Sequence, residues 1–151
     1  MKKLLLTFSV VAALGALASC SKDDDGPSNV FTAQVDGDDF VADEIDGVFW
    51  SDDDEVYVDG YTDDDNGFSI YFSIDEVEEG ETYDLTDFEI YMVYYDEDEA
   101  SFIPVNGEIS VTKLTESRFE ATFEFDGENY GSGDEIEVTD GVVKADLEEV
   151  D

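Results

Sequence analysis

The sequence predicts an all-β protein: an antiparallel meander of about ten short strands that closes into a barrel or a barrel-like sandwich. Three observations predict it. Apolar and polar residues alternate at period two through most of the chain, and no stretch after the N-terminal segment carries a convincing helical period. Asp-Gly or Asn-Gly falls at 36–37, 66–67, 126–127 and 140–141, supplying the positive φ that tight hairpin turns need. Aromatic and β-branched residues recur regularly, which an acidic disordered chain would lack. A meander has an apolar face to cover, and closing on itself covers it.

The elements follow in chain order. Residues 1–19 read as a lipoprotein signal helix. Lys2 and Lys3 give a charged start, and 4–17 is apolar except for Thr7, Ser9 and Gly15, too short for a comfortable membrane span. Leu17-Ala18-Ser19-Cys20 resembles a bacterial lipobox. The resemblance implies that Cys20 is alkylated with diacylglycerol and becomes the first residue of the mature chain. Its acyl chains would hold the protein in a membrane at about 0.8 kcal/mol per buried CH₂. An ordinary signal peptide is the competing reading. Residues 20–30 then form a lipidated acidic tether. Ser21-Lys22-Asp23-Asp24-Asp25 is similar to the export tag that follows the lipidated Cys in surface lipoproteins of the Bacteroidota. That likeness implies an outer-membrane protein facing the cell exterior, although an acidic spacer would read alike. Gly26-Pro27-Ser28-Asn29 continues as a flexible linker.

Residues 31–151 are long enough for one domain with a single core. Strands are expected near 31–35, 39–43, 47–51, 55–61, 67–74, 82–85, 87–95, 107–114, 117–126, 135–138 and 141–147. Phe31, Ala33 and Val35 share one face of the opening strand. Phe68, Ile70, Phe72 and Ile74 do so in the fifth. Phe119, Ala121, Phe123 and Phe125 do so later, with Thr122 and Glu124 pointing outward, and Val143, Ala145 and Leu147 line the last. In 87–95, Phe88, Ile90, Met92 and Tyr94 take one side, and Tyr91, Val93 and Tyr95 the other. Trp50 is expected in the core.

This layout resembles a family of small Bacteroidota lipoproteins known only as a domain of unknown function. The resemblance rests on the opening Phe-Thr-Ala-x-Val-Asp-Gly hairpin at Phe31 to Gly37 and Gly-x-Ile-x-Val-Thr-x-Leu at Gly107 to Leu114. Phe-x-Ala-Thr-Phe-x-Phe at Phe119 to Phe125 and the closing Thr-Asp-Gly segment at Thr139 to Leu147 complete it. It implies an all-β fold and supplies no active site to carry over.

Composition narrows the chemistry. The chain has 43 Asp+Glu against 6 Lys+Arg, no His and one Cys, for a net charge of −37. Without His there is no Ser-His-Asp triad and no His-ligated metal. A lone Cys makes no intrachain disulfide. So few cations cannot neutralise a run of phosphates, so nucleic acid is not a partner. Cleavage before Cys20 would remove Lys2 and Lys3 and no acid, leaving four cations against 43 acids, a net −39.

Three constellations remain. Carboxylate pairs serve glycosidases, but among 43 acids some pair always has the right separation, so spacing carries no signal. Oxygen donors cluster at 52–55, 96–99 and Asp63-Asp64-Asp65-Asn66, which suit weak, loosely bound calcium and no other cofactor. As an EF-hand the last cluster fails, because with Gly67 at the sixth position the first and twelfth would be Thr62 and Ser73. Finally, Tyr57, Tyr61, Tyr71, Tyr91 and Tyr95 all lie opposite their strands' apolar faces. On one outer surface they would form a tyrosine patch ringed by acids, a surface suited to sugars. The competing reading buries the 87–95 strand on both sides.

The expected function is that of a non-enzymatic, lipid-anchored surface domain, for binding or for envelope structure, adapted to salt by its carboxylate coat. The membrane, through Cys20, is the expected partner, with a glycan or an envelope protein beyond it. The alternative is a glycan-binding lipoprotein using the tyrosine face. A carboxylate-only hydrolase ranks last.

Overall fold

The computed structural model describes residues 29–151, so Cys20, the tag at 21–25 and the segment 1–19 lie outside the described residues. Every regular element among the described residues is a strand. They are β1 Val30–Val35, β2 Asp38–Val41, β3 Glu44–Trp50, β4 Glu55–Tyr61, β5 Gly67–Ser73 and β6 Thr82–Asp84. The others are β7 Ile90–Tyr95, β8 Ser101–Thr115, β9 Arg118–Glu128, β10 Glu135–Asp146 and β11 Glu148–Val150. Ten of them form one curled sheet, a half-barrel, in the order β11-β3-β4-β5-β7-β8-β9-β10-β1-β2, and β6 pairs with β8 beside that path.

Two corners curl the sheet. In β8, Ser101 and Phe102 pair with β7, and from Ile103 onward the strand pairs with β9. At the other corner β10 ends at Asp146 and, after Leu147 alone, β11 runs parallel to β3. One edge of the strand path is thereby tied back to the far half. Gly47 permits that closure: a Cβ there would stand 2.4 Å from the Asp146 carbonyl oxygen and 3.0 Å from Leu147 Cδ2.

The core fills the space between the two halves. Phe68 of β5 is its hub. It stacks on Phe31 at 5.5 Å, meets Phe40 and Tyr94 at 4.8 Å, and touches Phe123 and Phe125 from β9. Each such buried Phe contributes roughly 1.5–3 kcal/mol of transfer free energy. A second pair, Phe72 and Phe119 at 5.0 Å, extends the core toward the other end. The inward positions of β9 are Phe119, Ala121, Phe123 and Phe125, in the phase the alternation predicts.

Several boundaries differ from the sequence reading. Asp36-Gly37 makes a true hairpin turn with both φ values positive, and Thr62–Asn66 connects β4 to β5. In contrast, β9 runs straight through Asp126-Gly127, and β10 passes Asp140-Gly141 as a bulge, with Asp140 at φ 51°. Positive φ serves a bulge as well as a hairpin, so the same dipeptide allows either outcome. β8 starts at Ser101, six residues earlier than expected, because the shift between Pro104 and Asn106 hides its period while turning the corner. Phe88 is corrected outright. β7 begins at Ile90, and Phe88 sits before it at φ 67°, 70% exposed.

Candidate functional site

The face of β3, β4, β5 and β7 that points away from the core is built by period two. On β4 the inward residues are Val56, Val58 and Gly60, which leaves Glu55, Tyr57, Asp59 and Tyr61 outward. Antiparallel register then assembles rows across the strands. One row is Val48, Tyr57, Tyr71 and Tyr91. The next is Asp46, Asp59, Ser69 and Val93, and a third is Glu44, Tyr61, Gly67 and Tyr95. The five tyrosines named from sequence therefore share one outer face. Trp50 joins them. It was expected in the core, but Phe49 takes the inward position of β3 and leaves Trp50 40% exposed beside Glu55. The signal was present in β3, where Ile45, Gly47 and Phe49 form the inward phase and Trp50 falls out of step with them.

Glu55 organises the patch. Its carboxylate accepts a short hydrogen bond from the Tyr71 hydroxyl and one of 3.3 Å from Tyr57. The two rings lie 4.6 Å apart and tilted by 36°. The bond to Glu55, together with partial desolvation and the negative charge, pushes the Tyr71 phenol up to about 12. Desolvation and the Glu55 charge raise Tyr57 as well. Tyr95 is raised by desolvation and by neighbouring Tyr91, Tyr61 and Asp59. Tyr61 lays its ring against Gly67, where a Cβ would meet ring carbon at 2.0 Å, and its hydroxyl lies 3.3 Å from Ser69 Oγ. Val93 is only 2% exposed yet stands outside the central core cluster, in register with Ser69 and between Tyr91 and Tyr95 on its own strand. The tyrosine layer thus has a small apolar footing of its own. Beside it a shallow groove of about 470 Å³ is lined by Val48, Trp50, Asp53, Glu55, Tyr57 and Asp59.

The other acidic clusters have local tasks. In the Asp63-Asp64-Asp65-Asn66 turn, the Asp63 backbone N–H donates to Asp43, and Asn66 Oδ1 accepts from the Tyr94 hydroxyl. Asp96 accepts from the backbone N–H groups of Asp98 and Ala100, closing its own turn. Asp84 accepts from the Thr86 hydroxyl and N–H, and those bonds hold its carboxyl below the usual range. Among the described residues no group of three or more acidic, His or Cys side chains is arranged to hold a metal ion, and no Asp or Glu is buried. A groove of about 390 Å³ on the opposite half carries Glu108, Glu124 and Asp140. All three carboxylates are exposed to solvent.

The three described cations gather away from the tyrosine face. Arg118 bonds Glu120 at 3.0 Å and Asp146 at 2.8 Å, while Lys113 and Lys144 flank Glu120 in register on either side.

No curated protein and no solved structure matches the chain. One family model does, over residues 27–145, which takes in β1 through nearly all of β10. The chain belongs to the DUF6252 family, a domain of unknown function.

Proposed function

We propose that this chain is a non-enzymatic surface lipoprotein, anchored to the outer membrane through Cys20, that binds a glycan on the tyrosine face of β3, β4, β5 and β7. The observation that carries the reading is the assembly of Trp50 and five tyrosines on one outer sheet surface, with Glu55 holding two of the rings. Aromatic faces stack on the apolar faces of sugars, and fixed carboxylates accept sugar hydroxyls. Rings held by register and hydrogen bonds lose little entropy on binding. The lipobox at 17–20 and the acidic run at 21–25 support the anchor and its display.

The test uses the full-length protein, run through gels containing soluble polysaccharides of differing sugar composition. Retardation by at least one glycan is expected, and a Tyr57→Ala, Tyr91→Ala double variant of unchanged melting temperature should lose it. If no glycan retards the wild type, the binding reading is wrong. On cells, Cys20→Ala should release the protein from membranes, and unchanged retention there would remove the anchor.

A further inference from the structure

We infer that the ligand of the tyrosine face is cationic: a saccharide chain whose sugars carry free, protonated amines. The inference rests on the glycan reading above and names the class of glycan. The residues from 23 to 112 contain no Lys or Arg, so the half of the sheet that carries the aromatic rows has no cation of its own. Its outer surface presents Glu44, Asp46, Glu55 and Asp59 between and beside the rings, and Asp53 edges the groove under Trp50 and Tyr57. The three described cations all stand on β8, β9 and β10 around Glu120. Among the described residues, no cation on the aromatic strands offsets their field.

Charge and shape then select the occupant. Uronic-acid or sulfated chains meet carboxylates with no counter-charge, and like charges there are repelled. A neutral sugar gains stacking but gives the carboxylates no partner charge. A sugar with a protonated amine can lay its ring on Tyr57, Tyr71 or Trp50 and set its ammonium against Glu55, Asp59 or Asp53. It gains a cation–π contribution from the same rings. A lysine-rich peptide has the charge without the flat ring faces, so it serves as the competing probe.

The experiment titrates full-length protein in non-ionic detergent with three probes in mildly acidic buffer, where amines are protonated and most carboxylates ionised. The probes are a glucosamine oligomer, the same oligomer fully N-acetylated, and oligolysine. The expected result is binding of the glucosamine oligomer at least about tenfold tighter than its N-acetylated form. That affinity should fall by about tenfold in Trp50→Ala or Tyr57→Ala, both at exposed positions. In about 1 M salt, where the Debye length is about 3 Å, oligolysine should lose its binding while part of the ring-dependent binding persists. Equal or tighter binding of the N-acetylated oligomer would overturn the cationic class and leave the glycan reading standing. Binding of the glucosamine oligomer that matches oligolysine and ignores both aromatic substitutions would reduce the effect to bulk charge and overturn the inference. If neither oligomer binds and no neutral glycan does, both readings fail together.

Discussion

Phe123 and Glu124 are neighbours in chain and opposites in environment. Phe123 is 4% exposed and packs on Phe31 and Phe68, whereas Glu124 points outward directly across from Glu108. Phe123→Ala removes a ring from the middle of the core and should cost about 3–5 kcal/mol by denaturant titration. Glu124→Ala removes one member of a like-charged cross-strand pair and should be neutral or slightly stabilising. Equal losses from the two would mean that the strand phase is wrong. Tyr71 gives a residue-scale test by pH. An unfolded tyrosine ionises near 10, but in the folded chain Glu55 holds the Tyr71 proton up to about 12. Between those values the native state binds more protons than the unfolded one, so stability falls as pH rises. The contribution is fully present below pH 10 and is lost on the way to 12. In Tyr71→Phe the alkaline fall in melting temperature should be shallower, and the highest-pH step of the tyrosinate absorbance should vanish. Identical alkaline curves would detach Tyr71 from Glu55.

Among the elements, the small C-terminal strand matters beyond its length. β11 is three residues long, yet it is the only parallel partner in the sheet among the described residues and ties β3 to the end of β10. Close approach at Gly47 is the steric condition for that tie. Gly47→Val should cost about 1–3 kcal/mol by overpacking against backbone, which cannot swing aside. Truncation after Leu147 removes β11 and should also destabilise. If both act on one closure, their combined cost will be less than the sum of the single costs in a double-mutant cycle. Full additivity would mean that Gly47 acts elsewhere. This strand is not legible in the sequence, since Glu148-Glu149-Val150 has neither alternation nor a turn before it. The long strands were legible for the opposite reason: β4 spans 55–61 as expected, because seven alternating residues leave one phase with an apolar side.

At the scale of the whole molecule, charge dominates. Like charges face each other across neighbouring strands at Asp46 and Asp59, Glu108 and Glu124, Asp126 and Glu137, and Glu128 and Glu135. Unfolding separates them, so self-repulsion opposes the fold. The Debye length is about 30 Å at 0.01 M salt and about 3 Å at 1 M. The melting temperature should therefore climb steeply and gradually saturate as NaCl rises through this range. A melting temperature indifferent to NaCl would remove the case for adaptation to salt. Millimolar calcium should add little once about 1 M NaCl is present. A calcium effect that saturates under those conditions would follow mass action at a specific site and would make the turn carboxylates ligands.

By itself the sequence determined the β class, the inward phase of the long strands and the outward phase of the five tyrosines. These follow from period two, a local property that any extended strand with one buried side must obey. It also determined the charge, which depends on composition alone. Tertiary structure decided what locality cannot carry. It set which strands stand beside which, and hence that Tyr57, Tyr71 and Tyr91 fall in one row and that Glu55 reaches two of them. It sent Trp50 outward, because only one of two adjacent aromatics on β3 can face the core and Phe49 takes that place. It made Asp140-Gly141 a bulge and Asp36-Gly37 a turn, because a positive φ permits both and the strand paired alongside selects between them.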